Sequence, residues 1–427
     1  MTLHRRPATV LLSLLTAMAL TVLLGQPGAS ARPLPGTRPP EPYVWGPNVA
    51  DQRMVAMLTA RAASSTFGAG FSGVVIDAGT NKVLWGRNAS TALMPASNTK
   101  LVTAQNALSA LGPDTRYTTT VQQGATPDVV VVHGVGDPTL SSAMLDSMAA
   151  STAAALRSSG QPRAQIYIDD SVFPAPTLAG GWLSSYVPSS FTPLRGLVRD
   201  QRDVADTSAD VGVYFATRLQ AQGITSHYRG RTQVAATAPV IASAAGSPVS
   251  TMVQRMLISS DNEIAEALGR LVALKLGYAA TWSGGRVGQH VQMTRSGLAM
   301  TTLYDSSGLS RADRMSAVQL ARIVDAAVDP ARPQLAAITG PWALPTSGRT
   351  GTLSASSGRF TTAPSSCAAG LVRAKTGTLS DVVALSGYTV GADGRTKVFS
   401  FLVNGKRSSL ALQRAVDGLA ATITGCW

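Results

Sequence analysis

The sequence is poor in the residues that most often carry redox, metal and proton-transfer chemistry. It has two cysteines and four histidines among 427 residues, and only six of its 36 basic side chains are lysines. His133, His227 and His290 do not have the spacing of zinc ligands, so we expect neither a metal site nor a cofactor. Because lysine is so scarce, chance is a poor explanation for a lysine that falls in a motif.

Acidic residues are also scarce. The 36 basic and 23 acidic side chains leave a formal charge of +13, which favours acidic partners. The basic residues are scattered without runs, so we expect no nucleic-acid partner and favour the polymers of a cell wall instead.

Long apolar runs are absent after residue 24. Residues 1–31 have a basic start, an apolar run over 8–24 and a small-x-small cleavage site, a pattern that is typical of a secretory signal peptide. The alternative is an uncleaved membrane anchor. Residues 32–46 are rich in proline and predict a linker. We therefore expect an exported protein that is secreted or associated with the cell envelope, outside the cytoplasmic membrane.

Export would allow the two cysteines to form a disulfide, because disulfides persist in oxidising compartments. Cys367 and Cys426 lie late in the chain, and the second is next to its end. They are therefore a candidate disulfide that ties the C-terminus to a loop.

The order of the predicted elements indicates an α+β fold. Patterning predicts helices over 48–63, 249–274 and 410–419, a hairpin of strands over 71–76 and 82–85, and late strands over 370–374, 382–389 and 397–403. Strands near both ends with helices between them predict a mixed sheet covered by helices.

Residues 117–245 differ from the segments on either side in their pattern of secondary-structure signals. Their signals are strand-like runs over 129–132 and 165–168 and one main helix over 144–156. We interpret this section as an inserted smaller domain that contains β-strands. The main domain then consists of residues 47–116 and 246–427.

The most informative stretch is Pro95-Ala96-Ser97-Asn98-Thr99-Lys100 at a predicted helix start. Residues three apart share one face of a helix, so the Lys100 amine can lie beside the Ser97 hydroxyl. A serine needs such a base within hydrogen-bond reach to act as a nucleophile. The N–H groups of the first helical turn also lie there and can stabilise a developing oxyanion.

Two further motifs follow. Ser260-Asp261-Asn262 stands on a turn or helix start, where an N-cap with Glu263 in a capping box is the plain alternative. Residues 373–378 (Arg-Ala-Lys-Thr-Gly-Thr) lie on a predicted strand. A lysine, two hydroxyls and a glycine on an edge strand can hold a carboxylate while the backbone comes close, although an ordinary strand with a solvated lysine has the same pattern.

Taken in order, the motifs match the set Ser-x-x-Lys, Ser-Asp-Asn and Lys-Thr-Gly of penicillin-binding proteins and class A β-lactamases. Within that superfamily the chain resembles the D-alanyl-D-alanine carboxypeptidase/endopeptidase family of the penicillin-binding protein 4 type. Segments similar to that family are 134–140, 169–173, 263–266 and 305–311, the last with Ser306 in place of the usual glycine. The resemblance covers the chain from residue 50 to the end, with a shorter insertion than in the longest members.

The resemblance implies the penicillin-binding/β-lactamase-like transpeptidase fold and an acyl-enzyme on Ser97. Lys100 would be the base and Ser260 the proton relay to the leaving nitrogen. Asn262 would hold the substrate's peptide amide, and the terminal carboxylate would bind at Lys375, Thr376, Gly377 and Thr378. The implied substrates are the stem peptides of peptidoglycan, with β-lactams as covalent inhibitors.

Other functions fit parts of this pattern. A serine β-lactamase needs fast deacylation, in class A by a water that a glutamate holds. A serine esterase on the same fold is a second alternative, and a catalytically silent cell-wall-binding protein is a third. A Ser-His-Asp hydrolase is disfavoured because the sequence has no Gly-x-Ser-x-Gly turn.

Overall fold

The computed structural model describes residues 47–298 and 302–427. The predicted signal peptide (1–31) and linker (32–46) lie outside the described residues. Within the described ranges, no helix combines the length and the apolar character that crossing a bilayer requires.

Strands and helices alternate along the described chain. The strands are β1 (Gly70–Asp77), β2 (Val83–Arg87), β3 (Thr118–Gln123), β4 (Val129–His133), β5 (Arg163–Asp169), β6 (Thr225–Arg231), β7 (Val240–Ala245), β8 (Arg373–Leu379), β9 (Val382–Val390) and β10 (Thr396–Asn404). The helices are α1 (Pro47–Ala62), α2 (Thr99–Ala110), α3 (Ser142–Ser158), α4 (Thr207–Ala221), α5 (Val249–Ser259), α6 (Asn262–Lys275), α7 (Trp282–Arg295), α8 (Ala317–Val328), α9 (Ala336–Thr339) and α10 (Leu410–Ile423).

One antiparallel sheet has the strand order β2-β1-β10-β9-β8. Successive side chains of a strand point to opposite faces, and both faces are covered here. Val398 and Leu402 of β10 pack in a core with α2, α5, α6 and α8. Phe399 and Phe401 pack on the other face with α1 and α10. Burial of both faces explains the nearly continuous apolar run of this strand.

A second sheet has the order β6-β5-β4-β3-β7 and lies entirely within residues 118–245. Its strands β4, β5 and β6 run parallel, whereas β3 is antiparallel to both neighbours. Helices α3 and α4 share its core. The α+β class is confirmed. The helix-covered sheet is antiparallel throughout, and the mixed sheet is this second one.

The domain boundaries at 117 and 245 stay a prediction. Residues 171–206, between β5 and α4, divide their apolar side chains between the two cores. Phe173, Trp182 and Phe191 pack in the core around α2, whereas Leu197 packs with the second sheet. Part of the predicted insertion, within residues 171–206, therefore packs on the helices of the main core.

The structure differs from the sequence-based expectations at several elements. The helix predicted over 249–274 is divided at Ser260 into α5 and α6, and helices α7 and α8 were not predicted. Helix α4 was not predicted, because β-branched and aromatic residues and Gly212 give it a weak helical propensity. The buried residues Val211, Phe215 and Leu219, four apart, pack it on the second sheet instead. The strand predicted over 370–374 begins at Arg373 and ends at Leu379, because Gly370 has a φ of +87° that a strand does not adopt.

The predicted disulfide between Cys367 and Cys426 is present. Cys367 lies in a short 3₁₀ turn, Ser366–Ala368, before β8, and Cys426 follows α10. The bond fixes the end of α10 to the loop that leads into β8. Arg359 and Asp417 form a buried ion pair between the same two regions, with an Arg359 Nε to Asp417 Oδ2 distance of 2.8 Å.

Replacing both cysteines with serine should lower the free energy of unfolding by about 2–4 kcal/mol, because a crosslink restricts the unfolded chain. The linked residues are 59 positions apart. Urea denaturation followed by circular dichroism measures the change, with reduced wild-type protein as the control. An unfolding midpoint equal to that of the oxidised wild type would contradict the expectation.

Candidate active site

Ser97 lies in a 3₁₀ turn, Ala96–Asn98, that leads directly into α2. The preceding residue, Ala96, is buried and has a φ of +48°, a region that residues other than glycine rarely adopt. Gly377 of β8 makes room for this turn, because a Cβ at Gly377 would lie 2.8 Å from the Pro95 carbonyl oxygen. The turn that carries Ser97 is thus pressed against the edge strand.

Lys100, one turn into the helix, is fully buried. Its Nζ lies 3.1 Å from Ser97 Oγ, 2.7 Å from Asn262 Oδ1 and 2.7 Å from the backbone oxygen of Ser307. All three neighbours are neutral oxygen atoms. The geometry therefore gives Ser97 a basic partner that is not tied to a carboxylate by a direct hydrogen bond.

Burial lowers the pKa of the Lys100 amine to about 8. Charge removed from water is costly, so the neutral form gains relative to the ammonium. Four carboxylates oppose this effect from a distance and belong to Asp305, Glu266, Asp261 and Glu263. The net result brings the amine close to the range in which a general base works.

Ser260 separates α5 from α6 and has left-handed backbone angles, φ 62° and ψ 37°. The N-cap of α6 is Asp261, whose Oδ1 accepts from the backbone N–H of Ile264. Glu263 makes no capping box, because its Oε1 accepts from the Thr192 N–H instead. Ser260 is thereby left free to face the cleft, where its Oγ lies 2.8 Å from Lys375 Nζ.

Lys375 on β8 is also fully buried, and its Nζ contacts the Ser260 hydroxyl and the Thr376 carbonyl. Burial, and then the nearby Lys100 amine, lower the pKa of Lys375 well below its ordinary value. Two amines in one buried cleft each disfavour the charged form of the other.

The remaining residues of the β8 motif differ in exposure. Thr376 is buried, and its hydroxyl lies 2.7 Å from that of Thr352 in the loop that flanks the strand. Thr378 is exposed. Sequence reasoning missed Thr352, because a single threonine in a loop carries no pattern.

A fourth segment, residues 305–310, reaches the site through its backbone. The Ser307 carbonyl is bonded to Lys100, and the Asp305 carboxylate accepts from the N–H groups of Gly308 and Ser310 at 2.8 and 2.7 Å. Gly308 has a φ of +84°, and a Cβ there would lie 1.9 Å from the Ala96 carbonyl oxygen. The similarity of this segment to the family was recognised in the sequence, but its contact with Lys100 was not.

The stretch between β5 and α4 covers these segments from the side. The Ser190 carbonyl accepts from Asn262 Nδ2 at 2.7 Å, and Trp182 Nε1 donates to Asp305 Oδ2 at 2.7 Å. Both ends of the Asn262 amide are therefore engaged within the protein. Sequence reasoning did not connect this stretch with the site. Two of its contacts with α6 come from the Ser190 carbonyl and the Thr192 N–H, which are backbone groups and leave no pattern in the sequence.

The structure thus gathers every sequence-predicted site residue except the cysteines around one cleft. Cys367 and Cys426 lie with the core on the other face of the first sheet, where Cys426 packs. Among the residues that the structure describes, no group of three or more His, Cys, Asp or Glu side chains is placed to hold a metal ion.

Gly308→Ala should slow labelling of the protein by a fluorescent penicillin about 100-fold, because either the loop or the Ser97 turn must move by about 1 Å. Gly394→Ala is the matched control: it has a φ of +77° but open space around its Cβ position. That variant should lose about 1–2 kcal/mol of stability and be acylated at the wild-type rate. Equal acylation rates for the two variants would show that the contact with Ala96 is unimportant.

Two mycobacterial proteins are similar to nearly the whole chain. A carboxypeptidase, DacB, of Mycolicibacterium smegmatis is 29% identical, and the alignment covers 99% of this chain and 97% of that protein. A carboxypeptidase of Mycobacterium tuberculosis is 30% identical over 92% of this chain and 90% of its own length.

Among solved structures, penicillin-binding protein 4 of Haemophilus influenzae superimposes with a TM-score of 0.71 at 19% identity. The match covers 85% of this chain and 98% of that one. A complex of the same protein with a β-lactam gives a TM-score of 0.66. At this identity the likeness shows a shared fold.

The model of one peptidase family matches two segments of the chain, residues 54–198 and 190–423. Together the segments include all three motifs, the loop at 305–310 and the stretch that covers the cleft. The chain belongs to the D-Ala-D-Ala carboxypeptidase 3 (S13) family.

Proposed function

We propose that this cleft hydrolyses the terminal D-Ala-D-Ala bond of peptidoglycan stem peptides through an acyl-enzyme on Ser97. Family membership makes the protein a serine-type D-Ala-D-Ala carboxypeptidase. The observation that supports the assignment of roles is the pair of contacts from Lys100 to Ser97 and from Lys375 to Ser260 in one cleft.

Acylation begins when the neutral Lys100 amine takes the proton of the Ser97 hydroxyl. The oxygen then bonds to the carbonyl carbon of the penultimate D-alanine. The backbone N–H groups of Ser97 and Thr378 hold the resulting oxyanion, and each such donor contributes roughly 3–4 kcal/mol. Gly377 lets the Ser97 turn approach β8, the strand that carries Thr378.

The proton that Lys100 took then passes through the Ser260 hydroxyl, which is hydrogen-bonded to Lys375, to the leaving nitrogen as the carbon–nitrogen bond breaks, and Lys100 becomes neutral again. Free D-alanine departs. The neutral Lys100 amine then takes a proton from water as the water oxygen bonds to the ester carbon. It returns that proton to Ser97 as the ester bond breaks, and the shortened peptide leaves with a new carboxyl group, which ionises.

The substrate's terminal carboxylate binds near Lys375 and the exposed hydroxyl of Thr378. An opposite charge favours the ammonium form of a lysine, so a bound carboxylate charges Lys375. The charged Lys375 in turn keeps Lys100 neutral. Thr376 serves indirectly, because its hydroxyl is buried against Thr352. Asn262 holds Lys100 through Oδ1, whose second lone pair can accept from the substrate's peptide N–H.

The finer scope of the activity is part of the same proposal. DD-endopeptidase action on cross-linked peptides uses the same acyl-enzyme, and β-lactams acylate Ser97 as substrate mimics. Peptidoglycan lies outside the cytoplasmic membrane, so we place the protein there, at the periphery of the cell envelope. The net charge of +13 suits an acidic wall.

A β-lactamase is the nearest alternative function, and the contacts of Glu263 and Glu266 argue against it. Glu263 accepts from the Thr192 N–H, and Glu266 accepts from the Ser306 and Ser307 N–H groups. Both are committed to the backbone rather than to a deacylating water. An esterase and a silent wall-binding protein remain distinguishable from the proposed enzyme by D-alanine release from a D-Ala-D-Ala peptide.

Ser97→Ala should abolish covalent labelling by penicillin and release of D-alanine, because the attacking oxygen is gone. Mass spectrometry of the penicillin-treated wild type should find the adduct on the peptide that contains Ser97. Ser259→Ala is the control, since that hydroxyl bonds only to the Arg255 carbonyl. Persistent labelling of Ser97→Ala would refute the nucleophile, and rapid loss of the wild-type adduct would favour a β-lactamase.

The acylation rate should rise about tenfold between pH 7 and pH 9, because the amine with a pKa of about 8 must be neutral to act as base. Lys100→Ala should lose at least about 100-fold in acylation rate and most of this pH dependence. Lys82→Ala, an exposed lysine, is the control. A flat wild-type profile across this range would exclude Lys100 as the base.

A further inference from the structure

The orientation of the Lys100 amine depends on more than its distance from Ser97. A neutral amine has two N–H bonds and one lone pair. Asn262 Oδ1 and the Ser307 carbonyl oxygen, both 2.7 Å from Nζ, can only accept hydrogen bonds. When both N–H bonds point at these oxygens, the lone pair faces the third neighbour, the Ser97 hydroxyl.

The two acceptors are held by one helix. Asn262 is the first residue of α6, and Glu266 follows four positions later on the same face. Glu266 is 2% exposed, and its Oε1 accepts from the N–H groups of Ser306 and Ser307 at 2.9 and 2.8 Å. The helix thus sets one acceptor directly and the other through the 305–310 loop.

The loop has little freedom around these bonds. The Thr103 hydroxyl of α2 donates to the Ser306 carbonyl at 2.6 Å. On the other side, Ser306 packs against the backbone of α6, since a Cβ at Gly269 would lie 1.9 Å from Ser306 Oγ. Glycine destabilises a helix interior relative to alanine, so the close approach explains its presence at position 269.

We propose that Glu266 is a positioning residue for acyl transfer: through its bonds to the Ser306 and Ser307 N–H groups, it holds the Ser307 carbonyl where the Lys100 lone pair faces Ser97. The inference rests on the proposed function of the cleft and assigns a task to a carboxylate that the reaction itself does not use. Glu266 touches neither substrate nor nucleophile.

Charge and hydrogen bonding at Glu266 have separable effects. Its carboxylate raises the pKa of Lys100, together with Asp305, Asp261 and Glu263, whereas burial lowers that pKa. Burial, with Asp305 nearby, raises the pKa of Glu266 itself to about 8. Oε1 accepts the two N–H bonds whether or not the acid is charged.

The test compares Glu266→Gln with Glu266→Ala. The amide oxygen of glutamine can accept the same two bonds without charge, whereas alanine removes the acceptor. The penicillin acylation rate is measured from pH 6 to pH 10 on the fraction of protein that labels at saturation, so that unfolded protein does not count. We expect Glu266→Ala to fall about 100-fold, as for a displacement of about 1 Å.

Glu266→Gln should keep its plateau rate within a few-fold of wild type. Its acid limb should stay close to that of wild type, because a carboxyl group with a pKa of about 8 is already mostly neutral on that limb. A wild-type rate in Glu266→Ala would overturn the proposal. So would a Glu266→Gln variant as slow as Glu266→Ala, because charge rather than hydrogen bonding would then be responsible.

Asp417→Asn is the matched control for the loss of a buried carboxylate. Asp417 pairs with Arg359 and lies with α10 on the other face of the first sheet. The Asp417→Asn substitution should lower the stability of the protein and leave both the acylation rate and the pH profile of the labelled fraction unchanged. A slowing equal to that of Glu266→Ala would assign the effect to destabilisation and overturn the proposal. Failure of wild-type Ser97 to label at all would instead refute the proposed function.

Discussion

Two buried amines in one cleft are the constraint on which the site depends. Lys100 and Lys375 are both withdrawn from water, and their hydrogen bonds go to hydroxyl, amide and carbonyl oxygens rather than to carboxylates. A buried ammonium without a close counter-ion is costly, so the neutral forms gain. Such a cleft suits the proposed roles, in which Lys100 is the base and Lys375 binds the negative charge of the substrate's carboxylate.

The backbone around these amines is strained where it meets the reacting groups. Ala96, just before the proposed nucleophile Ser97, and Ser260 both have positive φ values, +48° and +62°. Such conformations persist only where the surroundings determine them. Glycines at 308 and 377 supply the space on either side of the Ala96 turn, and Lys375 holds the Ser260 hydroxyl. The strained backbone positions therefore lie at or next to the residues that carry the Ser97 and Ser260 hydroxyls.

The parts of the site that consist of side chains at fixed spacing could be predicted from the sequence. The i, i+3 relation of Ser97 and Lys100 and the strand with Lys375 followed from periodicity, and the buried strands from their apolar runs. Backbone contacts leave no such trace: the Ser307 carbonyl and the Ser190 carbonyl serve through atoms that every residue has. Helix α4 escaped because tertiary packing overrides its weak propensity. Ser260 looked like a cap, and Asp261 took that position instead.

The pairing of the first sheet has a consequence for how the chain is made. Strand β1 follows shortly after α1, yet one of its two neighbours is β10, in a register that joins Gly70 to Asn404. Contacts of such large sequence separation form late and slowly. Ser97 and Lys100 leave the ribosome early, and Lys375 on β8 emerges 275 residues after Lys100. A nascent chain that stops before β8 therefore lacks both Lys375 and the strand against which the Ser97 turn packs.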